Sequence, residues 1–532
     1  MADAEEALHE RTAKAGAAHE VVHLTVPERQ QQGRVARAMV PREDLGQWAP
    51  TADRPDPVEL LVGQEESRVP ALVPVRHARM AASAFAFYRG AALVMASDLA
   101  TSPRSGLDVQ LCGDAHLSNF GLFAAPDRSV IFDVNDFDET NPGPFEWDVK
   151  RLAASFVLAA RDNHLSEDVG RAAAQTAAES YRTSMAEYAQ MPELSIWYDR
   201  VDATEVVAAL QQGLTEDDGK KDKKANKAKK GKKGKADDVK AEKAVGRALS
   251  KAQSRDAWSA IQKLTEVVDG QRRFRNQPPL LVRPELGPEG FELLNTLFRQ
   301  YRATLQDDRR ELLKRYRIID FGHKVVGVGS VGLLAFVMLM QGKDENDLMV
   351  LQIKQAQASV LEAFTSKSPY SKHGHRVVTG QRLMQAASDS FLGWIDGPSK
   401  RSFYVRQLRD MKWSPEPSAL DARKLSAFAS LCGHTLARAH ARTGDAVAIA
   451  TYLGSGRAFD KAIAQYAVAY ADTAAADYAL FTAAIDEGRL QAHEGTAGDE
   501  SQSAFDLLVT EARQVGSGRR RAPRATAPAA TD

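Results

Sequence analysis

Cysteine is almost absent from this chain: Cys112 and Cys432 are the only two in 532 residues. Both stand in apolar sequence context, which argues against a disulfide framework and a structural zinc site and fits a reducing compartment. An excess of either charge is also missing, because Lys+Arg and Asp+Glu both number 70. That balance gives no reason to expect a nucleic-acid or membrane partner. Long hydrophobic runs are lacking too; the longest, LLAFVMLM at 333–340, is far too short to span a bilayer. The opening residues MADAEEALHERTAKAG are acidic and polar, without the apolar segment of a secretion signal. A cytoplasmic protein is expected. What is present is the 44% apolar and 26% charged composition of a globular chain, long enough for two or three lobes.

Some stretches carry little information about fold. Residues 1–25 are Ala/Glu-rich without an apolar stripe and read as unstructured. Residues 217–243, DDGKKDKKANKAKKGKKGKADDVKAEK, are lysine-dense and of low complexity. A solvated insertion is the plain reading, with contact to polyanions as the alternative. The tail 513–532 is basic, Pro/Ala-rich and expected to be disordered. Helical spacing of apolar residues marks Arg79 to Leu99, 165–190, 244–268, 289–316, 421–443 and 456–487.

At residue 324 the texture changes. KVVGVGSVGLLAFVMLMQGKDENDLMVLQIKQA reads as strand, Gly-rich turn, strand, polar turn, strand. Gly327, Gly329 and Gly332 spell G-x-G-x-x-G between two strands, with Ser330 inside the turn. A dinucleotide site needs a helix after the glycines, so this context suits a flap whose backbone amides cover phosphates. Lys354 lies in the third strand, where it is expected to face the cleft and reach the phosphates of ATP. A helical QAQASVLEAF is expected next, with Glu362 as the candidate ion-pair partner of Lys354. FYVRQLRDM at 403–411 adds a strand, and Arg406, Arg409 and Asp410 within it read as a buried ion network.

Residues 111–139, LCGDAHLSNFGLFAAPDRSVIFDVNDFDE, hold two polar clusters joined by a turn and an apolar run. Asp114, His116 and Asn119 form the first; Asp133, Asp136 and Asp138 form the second. Strand end, loop, hairpin and acidic loop bring an Asp, an Asn and further Asp residues to one end of a hairpin. Phosphoryl transfer requires such a set, one Asp to orient a hydroxyl and an Asn with an Asp to hold magnesium. His116 reads as a brace for the loop, with a general base as the sharper alternative. Asp148, near the start of the following helix, reads as the group tying loop to helix. His440 and Asp445 read as core or capping residues.

The stretch resembles the aminoglycoside-phosphotransferase branch of the kinase-like superfamily. The matching residues are Gly113, Asp114, His116 and Asn119, followed by Asp136-Phe137-Asp138-Glu139. The resemblance implies that Asp114 orients the acceptor hydroxyl while Asn119 and Asp136 hold magnesium, with Asp133 competing for the metal role. The chain as a whole resembles the bacterial family known as domain of unknown function 2252, over most of residues 60–485. The phrases that carry this are FAFYRGAA, LCGDAHLSNFG, NDFDE, VVGVGSVG, GQRLMQAASD, FYVRQLRDMK and ARAHARTGD.

The order of parts is unusual, since the loop at 113–119 precedes the Gly-rich turn by about two hundred residues. The expected fold is therefore α+β, a protein-kinase-like two-lobed fold in circularly permuted order. Large-lobe elements would fill 26–320, a small antiparallel β lobe 321–412, and helices completing the large lobe 413–512. The Asp-Phe-Gly of IIDFG at 318–322 imitates a metal motif but runs directly into the Gly-rich strand and is set aside. The leading functional expectation is an ATP- and Mg2+-dependent phosphotransferase acting on a hydroxyl of a small molecule or protein. The alternatives are a nucleotidyl transferase or a pseudokinase that only binds nucleotide, and a metal-dependent phosphoesterase. The last needs further metal motifs downstream, an Asn-His pair among them, and the chain is read as lacking that pair.

Overall fold

The apolar run of residues 335–340 alternates between two cores. Strands β9 (Arg317–Lys324), β10 (Ala335–Gln341) and β11 (Leu348–Ala356) form an antiparallel meander. Because side chains alternate along a strand, Phe336, Met338 and Met340 enter one core while Val337 and Leu339 enter the other. A run that is apolar at every position is therefore a strand buried on both faces. Helix Pro288–Ala303 covers the first face with Leu294, Leu297, Phe298 and Tyr301. Ile261 and Phe274 close the second.

The computed structural model describes residues 23–204, 206, 257–278, 280–285, 287–324, 327–408, 413–493 and 510. The lysine-dense insertion, the basic tail, residues 1–22, Arg409 and Asp410 lie outside the described residues. The described part is α+β. Strands β1 (Asp108–Leu111) and β4 (Asn141–Pro144) pair, and β2 (Phe120–Ala124), β3 (Val130–Val134) and β5 (Val201–Asp202) form a small sheet. A hairpin, β6 (Thr265–Val268) and β7 (Gln271–Phe274), stands alone. The largest sheet has six strands in the order β12-β13-β11-β10-β9-β8, with β8 at Leu281–Val282, β12 at Gly393–Asp396 and β13 at Ser402–Gln407. Among the described residues no helix is long and apolar enough to cross a membrane.

The helical body packs Phe145–Asp162, Glu167–Tyr188, Ala422–Ala441 and Ala458–Asp486 around the largest core. Helix Phe145–Asp162 is buried at every position from Phe145 to Ala160, including Glu146, Asp148, Lys150 and Arg151. Two of these buried groups, Asp148 and Arg151, find their partners in the loop described below, while Glu146 accepts from Ser105.

Among the described residues the expected elements are present with several corrections; residues 244–256 of one expected helix lie outside them. Arg79 to Leu99 is not one helix but parts of three, Val73–Met80, Ala84–Gly90 and Ala92–Ala100. Ser83 caps the second by accepting from the Ala86 amide, which fixes the break. The segment after Lys354 stays extended to Ala356 and makes only a short turn at Val360–Ala363. Residues 265–268, expected to be helical, are a hairpin strand. Residues 257–303, assigned by sequence to the large lobe, supply elements that pack on the six-stranded sheet.

Candidate functional site

Gly113 opens the loop after β1 with φ of 80°, in the left-handed region where a side chain is disfavoured. A Cβ there would also collide with the Glu139 carbonyl oxygen, so the two polar clusters pack together only around a glycine. Asp148, in the first turn of its helix, accepts from the amides of Cys112 (2.7 Å) and Gly113 (3.1 Å). His440 Nε2 lies 3.3 Å from the same carboxylate and Tyr181 OH 3.0 Å from its Nδ1. Asp148 thus ties loop to helix, and Asp445 caps Ala446–Leu453.

Within the loop, the Asn119 side-chain amide donates to the Asp114 carbonyl oxygen (2.6 Å), and the Asn135 amide donates to the Asn119 carbonyl (2.7 Å). Asp114 is held by Arg151, whose Nε donates to Oδ1 at 2.6 Å. Burial pushes the Asp114 carboxyl up from its ordinary pKa, Arg151 pulls it back, and the Asp136 carboxylate adds to the rise. His116 is buried, with Nε2 3.7 Å from Asp114 Oδ2 and no hydrogen-bond partner at Nδ1. Burial, with Arg89 and Arg151 nearby, lowers its pKa well below the ordinary value. The imidazole packs edge-on against Phe85.

The second cluster divides. Asp133 is not at the cleft: its carboxylate is wholly buried, pairs with Arg438 at 2.5 Å and accepts from the Ala386 amide at 2.9 Å. Being the penultimate residue of β3, it points into the core, which leaves it no part in holding a metal. Asp136 and Asp138 lie beyond the strand. Asp138 Oδ2 is 2.5 Å from Lys354 Nζ, and Oδ1 accepts from Tyr404 OH at 2.7 Å. Asp136 Oδ2 is 3.6 Å from the same Nζ, and its side chain is 36% exposed. Lys354, Gln352, Tyr404 and Arg406 share one sheet face by the β11–β13 register. Burial disfavours the Lys354 charge, but Asp136 and Asp138 outweigh it and raise its pKa.

Glu362 does not partner Lys354. Its Oε1 accepts from the Ser359 amide (3.2 Å) in a capping box and lies 3.7 Å from Arg376 Nε. The gap from Lys354 is too short for a chain that stays extended and then turns. Asp320 sits within β9, where it accepts from the Phe274 amide (2.6 Å) and Arg283 Nε (2.9 Å), away from the cleft as expected.

One cleft brings Asp114, His116, Asn119, Asp136, Asp138 and Glu139 together with Gly327, Gly329 and Ser330. Gly327 and Gly332 have φ of 78° and 91°, so the turn relies on glycine at both positions. Lys354 stands behind Asp138 and is not among the lining residues. Sequence reasoning missed Arg68, Arg89, Arg151 and Tyr404, which come from distant segments, and gave no role to Glu139 beyond its motif. The Glu139 carboxyl is pushed up to about 7 by burial, against the Val360 amide and Arg376, which lower it. Contrary to expectation an Asn-His pair does occur, at Asn163 and His164, but the Asn163 side chain donates to the Pro417 and Leu420 carbonyls. Among the described residues no group of three or more His, Cys, Asp or Glu side chains is arranged to hold a metal ion.

Fold and site together define an α+β protein with antiparallel sheets and an acid-lined cleft closed by a glycine-rich turn. The chain belongs to the family described as uncharacterized proteins conserved in bacteria, DUF2252, which it matches over residues 68–238 and 213–484. No curated protein and no solved structure matches it.

Proposed function

We propose that the chain is a kinase-like phosphotransferase that moves a phosphoryl group from ATP, with Mg2+, to a hydroxyl of a small molecule or protein. The observation that carries this is the convergence of Asp114, Asn119 and Asp136 with the Gly327–Gly332 turn around one cleft, across a long sequence gap. On this reading the fold is kinase-like in permuted order, with β9 to β13 as the small lobe. Asp114, fixed by Arg151, orients the acceptor hydroxyl. The backbone of the turn lies over the phosphates. Magnesium takes one or two carboxylates plus substrate phosphate oxygens and retains water, so the oxygen donors of Asp136 and Asn119 fit it without a cluster of three carboxylates. Bound there, the ion would neutralise charge on the transferring group. Positioning and electrostatics, not covalent chemistry, supply the rate.

The test is Asp136→Ala. Magnesium-dependent ATP turnover is expected to fall below detection, and unchanged turnover would sink the metal assignment. A second reading, nucleotide binding without phosphoryl transfer, is favoured by the close Lys354–Asp138 pair, which must open before Lys354 can serve a phosphate. ATP labelled separately on the α and γ phosphates separates the cases: movement of γ label supports a kinase, α label a nucleotidyl transferase, and neither a pseudoenzyme.

A further inference from the structure

The cationic side chains lining the cleft are two arginines, Arg68 and Arg89, while Asp114, Asp136, Asp138 and Glu139 supply negative charge. Lys354 and Arg151 are both engaged by carboxylates. Arg68 is 7% exposed, beneath the glycine-rich turn; its Nη1 donates to the Val331 carbonyl (2.5 Å), and its buried Nε has no hydrogen-bond partner. Arg89, at the end of helix Ala84–Gly90, likewise has a buried Nε without a partner. Its backbone carbonyl is 3.3 Å from where a Gly329 Cβ would stand, so helix end and turn touch.

Buried guanidinium donors without acceptors are costly, and their presence on the wall of a polar cleft marks where an anion completes them. Arginine suits this task because its planar fork addresses two phosphate oxygens at once. We propose that Arg68 and Arg89 form a two-arginine clamp for the polyphosphate chain of the donor, in the role a strand lysine is usually given. This rests on the phosphotransferase reading and adds to it the residues that bind the anion.

The probes are inorganic tripolyphosphate and Mg2+–ATP, with binding to the full chain measured by calorimetry and thermal shift. Arg89→Gln is the primary variant, since the Arg89 guanidinium accounts for no hydrogen bond among the described residues and its loss orphans no acceptor. Arg68→Gln is the second, its melting temperature checked because Arg68 supports Val331. Wild type is expected to bind tripolyphosphate, and each variant to bind it at least tenfold more weakly. Failure of the wild type to bind tripolyphosphate, or equal binding by Arg89→Gln, overturns the clamp. If tripolyphosphate binding depends on both arginines but ATP binds no better than tripolyphosphate, the clamp stands and the nucleotide reading falls.

Discussion

Two charged layers meet at the loop, a floor and a rim, and they spend their charges differently. In the floor, Asp133 and Arg438 are both fully buried and face each other, while Asp148 serves two amides and His440. Lys150 also lies in the floor, wholly buried, with Nζ 4.3 Å from the Tyr466 ring centroid and no hydrogen bond. In the rim, three residues beyond Asp133, Asp136 keeps a third of its side chain in solvent and shares Lys354 with Asp138. Floor charges hold one arrangement, and removing one partner leaves the other stranded. Rim charges crowd like with like, which costs stability and readies the site for cations.

The sharpest way to break this contrast is Arg438→Ala, which strands a buried carboxylate. It should lower stability by about 3–5 kcal/mol in urea denaturation, and a loss below 1 kcal/mol would erase the distinction. Gly113→Ala forces a side chain into a left-handed, crowded position where floor and rim join. A loss of about 1–3 kcal/mol is expected there, together with any response of the melting temperature to Mg2+–ATP. Lys150→Met should instead raise stability at neutral pH by about 1–3 kcal/mol, since a buried charge with poor compensation gives way to an apolar chain of similar size. Burial lowers the Lys150 pKa from 10.5 to about 8, with Glu146 opposing the change. Between those values the unfolded chain binds more protons, so this group's contribution makes stability rise with pH across that window and fall as pH drops through 8. Lys150→Met should flatten that slope, and an unchanged slope would refute the assignment. The smallest effect belongs to the rim: Asp136→Asn should change stability by no more than about 0.5 kcal/mol while abolishing the magnesium-dependent thermal shift. A large destabilisation would move Asp136 into the floor.

How much of this was legible in the sequence depended on local context. The strands around the glycine-rich turn were readable because short apolar runs punctuated by glycines and a polar turn are local signals. The Asp114–Asn119 loop was readable because glycine before an Asp–Asn spacing reports backbone constraint. The Phe137 that follows it ranks Asp136 ahead of Asp133, but the sequence does not show that Asp133 turns inward, since which face a strand-end carboxylate takes depends on Arg438, about three hundred residues away. Asp320 and Asp136 carry the same Asp-Phe dipeptide; the ladder position of one commits its carboxylate to Arg283, and the loop position of the other leaves it at the cleft. Glu362 was misassigned because its nearest demand, capping a short turn, is as local as the helix expected there. Arg68 carries no motif, Arg89 stands in the phrase FAFYRGAA without a role suggested by it, and only the folded chain brings them to the turn.

The pairing of Lys354 with Asp138 joins residues 216 positions apart. During synthesis at roughly 5–20 residues per second, the acidic loop emerges on the order of ten to forty seconds before the strand that answers its charge. For that interval the hairpin holding Asp114 and Asp136 stands without its opposite wall. The cleft is therefore a late product of the chain: a polypeptide interrupted before β9 would carry the whole acidic motif without the glycine-rich turn that faces it or the wall that follows β11.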